Sequence, residues 1–253
     1  MKLPNIKFVI DKKMMIDDIE SFLCCDNSFM DWAVEQVTLD HKDLINQIKD
    51  KNSKEQKETI SNYVENYVDN NKSEIELEKD KLEKYWKSIE KKLGSELGKI
   101  LNTDWKNINE ITCNIGIFQV YPRDLDKFTT QIFYKSTTFY SAATILHEIT
   151  HFIYFKKWRE LFPEDELETF ESPHPFWHLS EIMAPIINNE ESIRRILPDA
   201  VIDTFPEYLK PYNDNQSIYG FFIQKYLEFK ENNKNIEDLL RFGREEIIKI
   251  KFQ

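Results

Sequence analysis

Ser141-Ala142-Ala143-Thr144-Ile145-Leu146-His147-Glu148-Ile149-Thr150-His151-Phe152-Ile153-Tyr154-Phe155 carries two histidines four residues apart inside an apolar run. Ala142, Ile145, Leu146, Ile149, Phe152, Ile153 and Lys156 recur at helical spacing, and no glycine or proline interrupts them before Pro163, which marks a stop. The stretch therefore reads as a mostly buried helix. On a helix, positions i and i+4 lie on one face, so His147 and His151 are set to grip a single tetrahedral Zn²⁺. Glu148, between them, can then reach a metal-bound water as general base. Histidine is scarce, with five in 253 residues, and all but His41 fall between 147 and 178. A packed helix also holds ligands in fixed rotamers, which a solvated loop does not.

A catalytic zinc takes three protein ligands and keeps a fourth position for water. The third is expected in Phe176-Trp177-His178-Leu179-Ser180-Glu181-Ile182-Met183-Ala184-Pro185. Glu181 is an acid among Leu179, Ile182, Met183, Ile186 and Ile187, and a buried carboxylate needs a partner. Pro185 cannot donate to the carbonyl of Glu181, which predicts a kink or irregularity there. His178 lies one turn before Glu181 and faces the same way; it can donate to a substrate oxyanion or displace Glu181 as ligand. His174, between two prolines, reads as a loop residue near the cleft.

In these residues the chain resembles the gluzincin zinc metallopeptidases, of which thermolysin is a familiar member. The match consists of His147, Glu148 and His151, with Glu181 on a downstream helix, and covers roughly residues 110–190. The resemblance implies one Zn²⁺ bound by His147, His151 and Glu181, with Glu148 as base and then proton shuttle. One position departs: gluzincins often carry an Asp four residues after the ligand glutamate, and here that residue is Pro185. A metzincin would need Gly and His where Tyr154 and Lys157 stand, so that pattern fails. Cys113 reads as a buried strand residue, and the adjacent Cys24 and Cys25 lack the geometry of a zinc knuckle.

Thr112–Tyr121 alternates apolar with small or polar residues as a strand does, and Gln131–Lys135 reads as a second short strand. In the zincin group an edge strand before the HExxH helix binds the substrate backbone, which gives Gln131–Lys135 that role beside a purely structural one. Catalysis of this kind also needs a donor to the tetrahedral oxyanion. His178, Tyr212 and Tyr219 are the candidates, with Tyr219 favoured; Tyr219→Phe is then expected to lower turnover more than about tenfold with the metal retained.

Glycine is rare and Lys, Glu, Ile and Leu dominate, so the fold is expected to be mainly α with a small β-sheet, an α+β protein with a zincin-like core. Helical periodicity covers 30–50, 54–70 and 74–101, with Ser53-x-x-Gln56 and Ser73-x-x-Glu76 fitting capping boxes. Further helices are expected at 191–209, 215–231 and 235–250. The division is a helical N-terminal region, 1–105, and a catalytic core with a helical C-terminal part, 106–253.

A net charge of −11 without a basic stripe argues against nucleic acid. No run approaches a membrane span, the N-terminus lacks an apolar signal segment, and three cysteines make no disulfide framework. A cytoplasmic metallopeptidase acting on a peptide or protein substrate is the expectation, its oligomeric state open. The alternative is a catalytically inactive zincin-fold protein that binds metal in a regulatory or interaction role.

Overall fold

The computed structural model describes residues 3–24, 30–198, 204–213 and 216–252. Cys25, part of the stretch 191–209 and the first residue of 215–231 lie outside them. The chain is mainly helical with a small mixed sheet, the α+β class expected. Strand β1 (Asn5–Val9) is followed by helices α1 (Lys12–Leu23), α2 (Met30–Ile48), α3 (Ser53–Asn70) and α4 (Lys72–Ile100). Then come β2 (Glu110–Gly116), β3 (Arg123–Asp124), β4 (Thr129–Phe133) and α5 (Thr138–Leu161). The remainder is α6 (Pro175–Asn188), α7 (Glu191–Arg194), the ribbon β5 (Pro211–Asn213) and β6 (Gln216–Ser217), α8 (Ile218–Glu231) and α9 (Ile236–Ile247).

The chain divides into two compact units, each drawn from more than one stretch of sequence. One unit groups residues 4–88 with 108–145; the other groups Leu3, residues 89–107 and the chain from Leu146 onward. The reason is β1. It pairs in parallel with β2, Asn5 opposite Glu110 and Val9 opposite Asn114. Ile6 and Phe8 are buried while Asn5 and Lys7 are exposed, the period of two that a half-covered strand shows. Parallel neighbours require a long crossover, and α1 to α4 lie in the chain between these two strands.

The sheet order is β1-β2-β4-β3, with β2 and β4 parallel and β3 antiparallel to β4. The strand expected at Gln131–Lys135 is thus β4, shifted two residues earlier at both ends, and its outer edge is covered at the start. β3 pairs with Thr129 and Thr130, and the Gln131 amide donates to the Pro122 carbonyl at 3.3 Å. Asn114 knits the sheet to α1. Its Oδ1 accepts from the Asp11 amide (2.8 Å), and its Nδ2 donates to the Asp11 carbonyl (3.1 Å) and to Gln131 Oε1 (3.0 Å).

Two local expectations shift. The capping box of α3 is made by Asn52 and Glu55, one residue before the expected Ser53 and Gln56, because Asn52 takes the extended backbone a cap requires. Helix α4 begins at Lys72, which leaves Ser73 inside its first turn rather than at its cap. Helix α2 is kinked at His41 (φ −132°, ψ 41°), whose buried imidazole faces the Ile117 carbonyl at 2.6 Å and the Tyr63 hydroxyl at 2.9 Å.

In the other unit α6 is buried on every side from Phe176 to Asn188 and packs against α8 and α9. Gly243 of α9 permits this: a Cβ there would stand 3.1 Å from Leu179 Cδ2. Pro175 occupies the first turn of α6, and His174 is its cap, its side chain accepting from the Phe176 amide at 3.2 Å. The helix continues through Pro185 to Asn188. The helix expected over 191–209 is instead the single turn α7 and a 3-10 turn at Pro206–Leu209, since Pro198 and Pro206 interrupt it. Among the described residues no helix is long and apolar enough to cross a membrane.

Candidate metal centre

Helix α5 begins where the Thr137 hydroxyl accepts from the Tyr140 amide at 3.2 Å, and it ends two residues before Pro163. Ala142, Ile145, Leu146, Ile149, Phe152 and Ile153 are all buried, so packing fixes which way the remaining face points. That face carries His147 and His151, their ring centroids 4.7 Å apart. The two Nε2 atoms face one another at 3.0 Å. Glu181, from α6, completes the group: Oε2 is 3.2 Å from His147 Nε2, and Oε1 is 3.4 Å from His151 Nε2.

These three residues are the ones the sequence singled out as ligands, and the structure brings all of them together. With bonds of 2.0–2.2 Å to a tetrahedral zinc, ligand atoms lie about 3.3–3.5 Å apart. The separations of 3.0, 3.2 and 3.4 Å are those of atoms arranged around one common point. Two imidazole nitrogens and a carboxylate oxygen are also the borderline donor set that suits zinc. The residues present fit the metal.

Burial gives the group a direction. His151 is fully buried and Glu181 is 4% exposed, whereas the His147 side chain keeps 19%. Solvent therefore approaches from the side of His147. Phe155 stacks on the His151 ring at a centroid distance of 6.3 Å and closes the opposite end. Glu148 is also buried, at 6% exposure.

The two ligand-bearing helices are tied together by a polar clamp that the sequence did not reveal. Thr150 Oγ1 lies 2.7 Å from the Leu146 carbonyl and 2.8 Å from Asn188 Oδ1, and both side chains are buried. Thr150 sits between the ligand turns of α5, and Asn188 is the last residue of α6. The position expected to hold an acidic partner for His147 is Pro185, and the clamp to Asn188 lies one turn further along the same helix.

Comparison of the chain with protein-family models, with curated proteins and with solved structures finds no match.

His178, one turn before Glu181, is buried, and its ring lies flat on that of Phe252, 3.7 Å away and 7° from parallel. Its Nδ1 faces the Tyr208 hydroxyl at 2.8 Å. Burial lowers its pKa to about 4 against the opposing pull of Glu181, with His174 adding to the lowering, so the imidazole is neutral near pH 7. Burial pushes the Tyr208 phenol far up, and the charges of Glu181 and Glu207 push it the same way. The charge of Glu181 is thus felt at both His178 and Tyr208, which sets the 3-10 turn Pro206–Leu209 beside the ligand helix.

Tyr219 is half-buried in the first turn of α8, and Tyr212 is exposed on β5. Cys113 is buried on β2, as expected of a strand residue. Tyr208 and Phe252 were not foreseen, because among eleven tyrosines and eighteen phenylalanines no local pattern marks them.

Proposed function

We propose that this chain is a zinc-dependent metallopeptidase of the gluzincin kind. The observation that carries the reading is the convergence of His147 Nε2, His151 Nε2 and both Glu181 oxygens at 3.0–3.4 Å on a packed pair of helices. Zinc held there supplies Lewis acidity, which acidifies water and polarises a peptide carbonyl.

Each remaining task falls to a residue of the chain. Glu148, buried beside His147 in the HExxH turn, takes a proton from the water that attacks the carbonyl carbon and returns it to the amine that leaves as the C–N bond breaks. A carboxylate at low exposure has few competing waters, which keeps its proton available for that return. His178 donates to the oxygen that gains charge as the carbonyl becomes tetrahedral. Its neutral, buried ring one turn before Glu181, held at Nδ1 by Tyr208, favours it for this role, and Tyr219 in the first turn of α8 is the other candidate. The opening beside His147 is where an extended peptide would enter, since that ligand alone keeps appreciable exposure.

A peptide library tests the reading. Cleavage by the purified protein, abolished by a chelator and restored by Zn²⁺, is the expected result. A zinc-loaded protein that cleaves no peptide would instead assign the chain a metal-binding interaction role.

A further inference from the structure

His178 could serve the zinc centre in two opposite ways. With a bare Nε2 it is a lone-pair ligand; with a protonated Nε2 it is a hydrogen-bond donor. Which one it is depends on the hydrogen bond made by its other nitrogen.

That nitrogen faces Tyr208. The Tyr208 hydroxyl, 2.8 Å from His178 Nδ1, belongs to a side chain with no solvent exposure. A phenol has one proton to give. Were Nδ1 protonated, it would donate to the Tyr208 oxygen, and the phenolic proton would need a second acceptor. Among the described residues the Tyr208 hydroxyl has no hydrogen-bond partner but His178. A buried hydroxyl proton left without an acceptor is strongly disfavoured. The proton therefore lies on the line from Tyr208 to Nδ1, and the imidazole must carry its own on Nε2.

Phe252 removes the remaining freedom. Its ring covers one face of the imidazole at 3.7 Å, and Tyr208 also meets the Phe252 ring edge-on at 6.1 Å. A partial rotation of the imidazole would break the stacking, and a 180° flip would keep the stacking but set Cδ2 in place of Nδ1 and break the bond to Tyr208. Nε2 makes no hydrogen bond to the protein among the described residues.

We infer that Tyr208 is a positioning residue that holds His178 in its Nε2–H tautomer, which makes His178 a hydrogen-bond donor beside the metal centre and excludes it as a metal ligand. The role as donor to substrate rests on the peptidase reading; the tautomer does not.

The test therefore starts with the metal-free protein. Long-range ¹H–¹⁵N NMR of the imidazole nitrogens, with His178 assigned by its loss in His178→Gln, reads the tautomer directly. The Nε2–H form is expected in the wild type, and Tyr208→Phe is expected to release it to a mixture. The Nδ1–H form in the wild type, or an unchanged tautomer in a folded Tyr208→Phe protein, would overturn the inference. Should Tyr208→Phe not fold, the wild-type spectrum decides alone. In the zinc-loaded protein, His178→Gln is expected to keep its metal and to lose about a hundredfold in kcat with little change in KM. Loss of zinc from that variant would make His178 a ligand and overturn the inference. A wild type that binds no zinc or cleaves nothing would remove the proposed function while the spectrum still answers for the tautomer.

Discussion

His147 Nε2 and His151 Nε2 face each other across 3.0 Å, each within 3.4 Å of the Glu181 carboxylate. Two ring nitrogens so close can share at most one proton between neutral imidazoles, and the lone pairs otherwise repel. One turn of α5 enforces this proximity through the i, i+4 spacing, and the full burial of His151 leaves its ring little room to swing away. A cation at the common point turns the repulsion into three attractive contacts.

Glu148→Gln keeps the size and hydrogen-bonding reach of the side chain but cannot take up a proton. The variant is expected to bind zinc as the wild type does and to lose at least about a hundredfold in turnover. Metal content and initial rates on one cleaved peptide check this. Turnover within a few-fold of wild type would take Glu148 out of the mechanism.

Thr150→Val removes the hydroxyl that joins α5 to Asn188 while keeping the shape of the side chain. It leaves the buried Asn188 carboxamide without its hydroxyl partner, for which a loss of about 1–3 kcal/mol is expected. Because the clamp joins the two helices that carry ligands, zinc affinity is expected to fall by about tenfold, in the range for groups that support a metal site from behind. Urea unfolding and competition with a chromophoric chelator measure the two effects separately.

Much of this was legible in the sequence, for reasons that particular residues make plain. The helices α2, α3, α4, α5, α6, α8 and α9 announce themselves by periodicity, His147 and His151 by residue type at helical spacing, and Glu181 as an acid within an apolar run. Local information failed where the deciding partner is remote. The strand Asn5–Val9 is short, and its partner begins at Glu110, so its place in the sheet depends on a pairing that no window of sequence contains. Asn52 and Ser53 both head a capping pattern, and only the backbone at Asn52 decides between them. Tyr208 acquires its role solely because its hydroxyl meets His178, thirty residues earlier in the chain.

Gly116 ends β2 against the side chain of Gln131, where an added Cβ would stand 2.4 Å from Cδ. Asn114 Nδ2 donates to Gln131 Oε1 at 3.0 Å, so the glutamine cannot swing away without breaking that bond. Gly116→Ala is expected to destabilise the protein by about 1–3 kcal/mol through overpacking. Chemical denaturation measures this, and an unaltered midpoint would show that Gln131 moves freely.

Burial raises the Asp18 carboxyl from 3.8 to about 7, with the charges of Asp17 and Asp124 adding to the shift. Its folded pKa lies above the unfolded one, so the folded state holds this proton more tightly. The stabilisation is fully present below about pH 4 and is lost as pH rises through about 7. Asp18→Asn removes the cost of the buried charge. The variant is expected to exceed wild type by about 1–3 kcal/mol at pH 8 and to match it near pH 4. Thermal unfolding across that range checks the sign; a variant less stable than wild type at pH 8 would contradict it.

Zinc per chain, by elemental analysis of freshly purified protein beside His147→Ala and Glu181→Ala, tests the metal centre most directly. The expected result is close to one zinc in the wild type, lost or much weakened in both variants. Zinc retained by Glu181→Ala would contradict the third ligand, and a wild type that takes up none after reconstitution would contradict the centre as a whole.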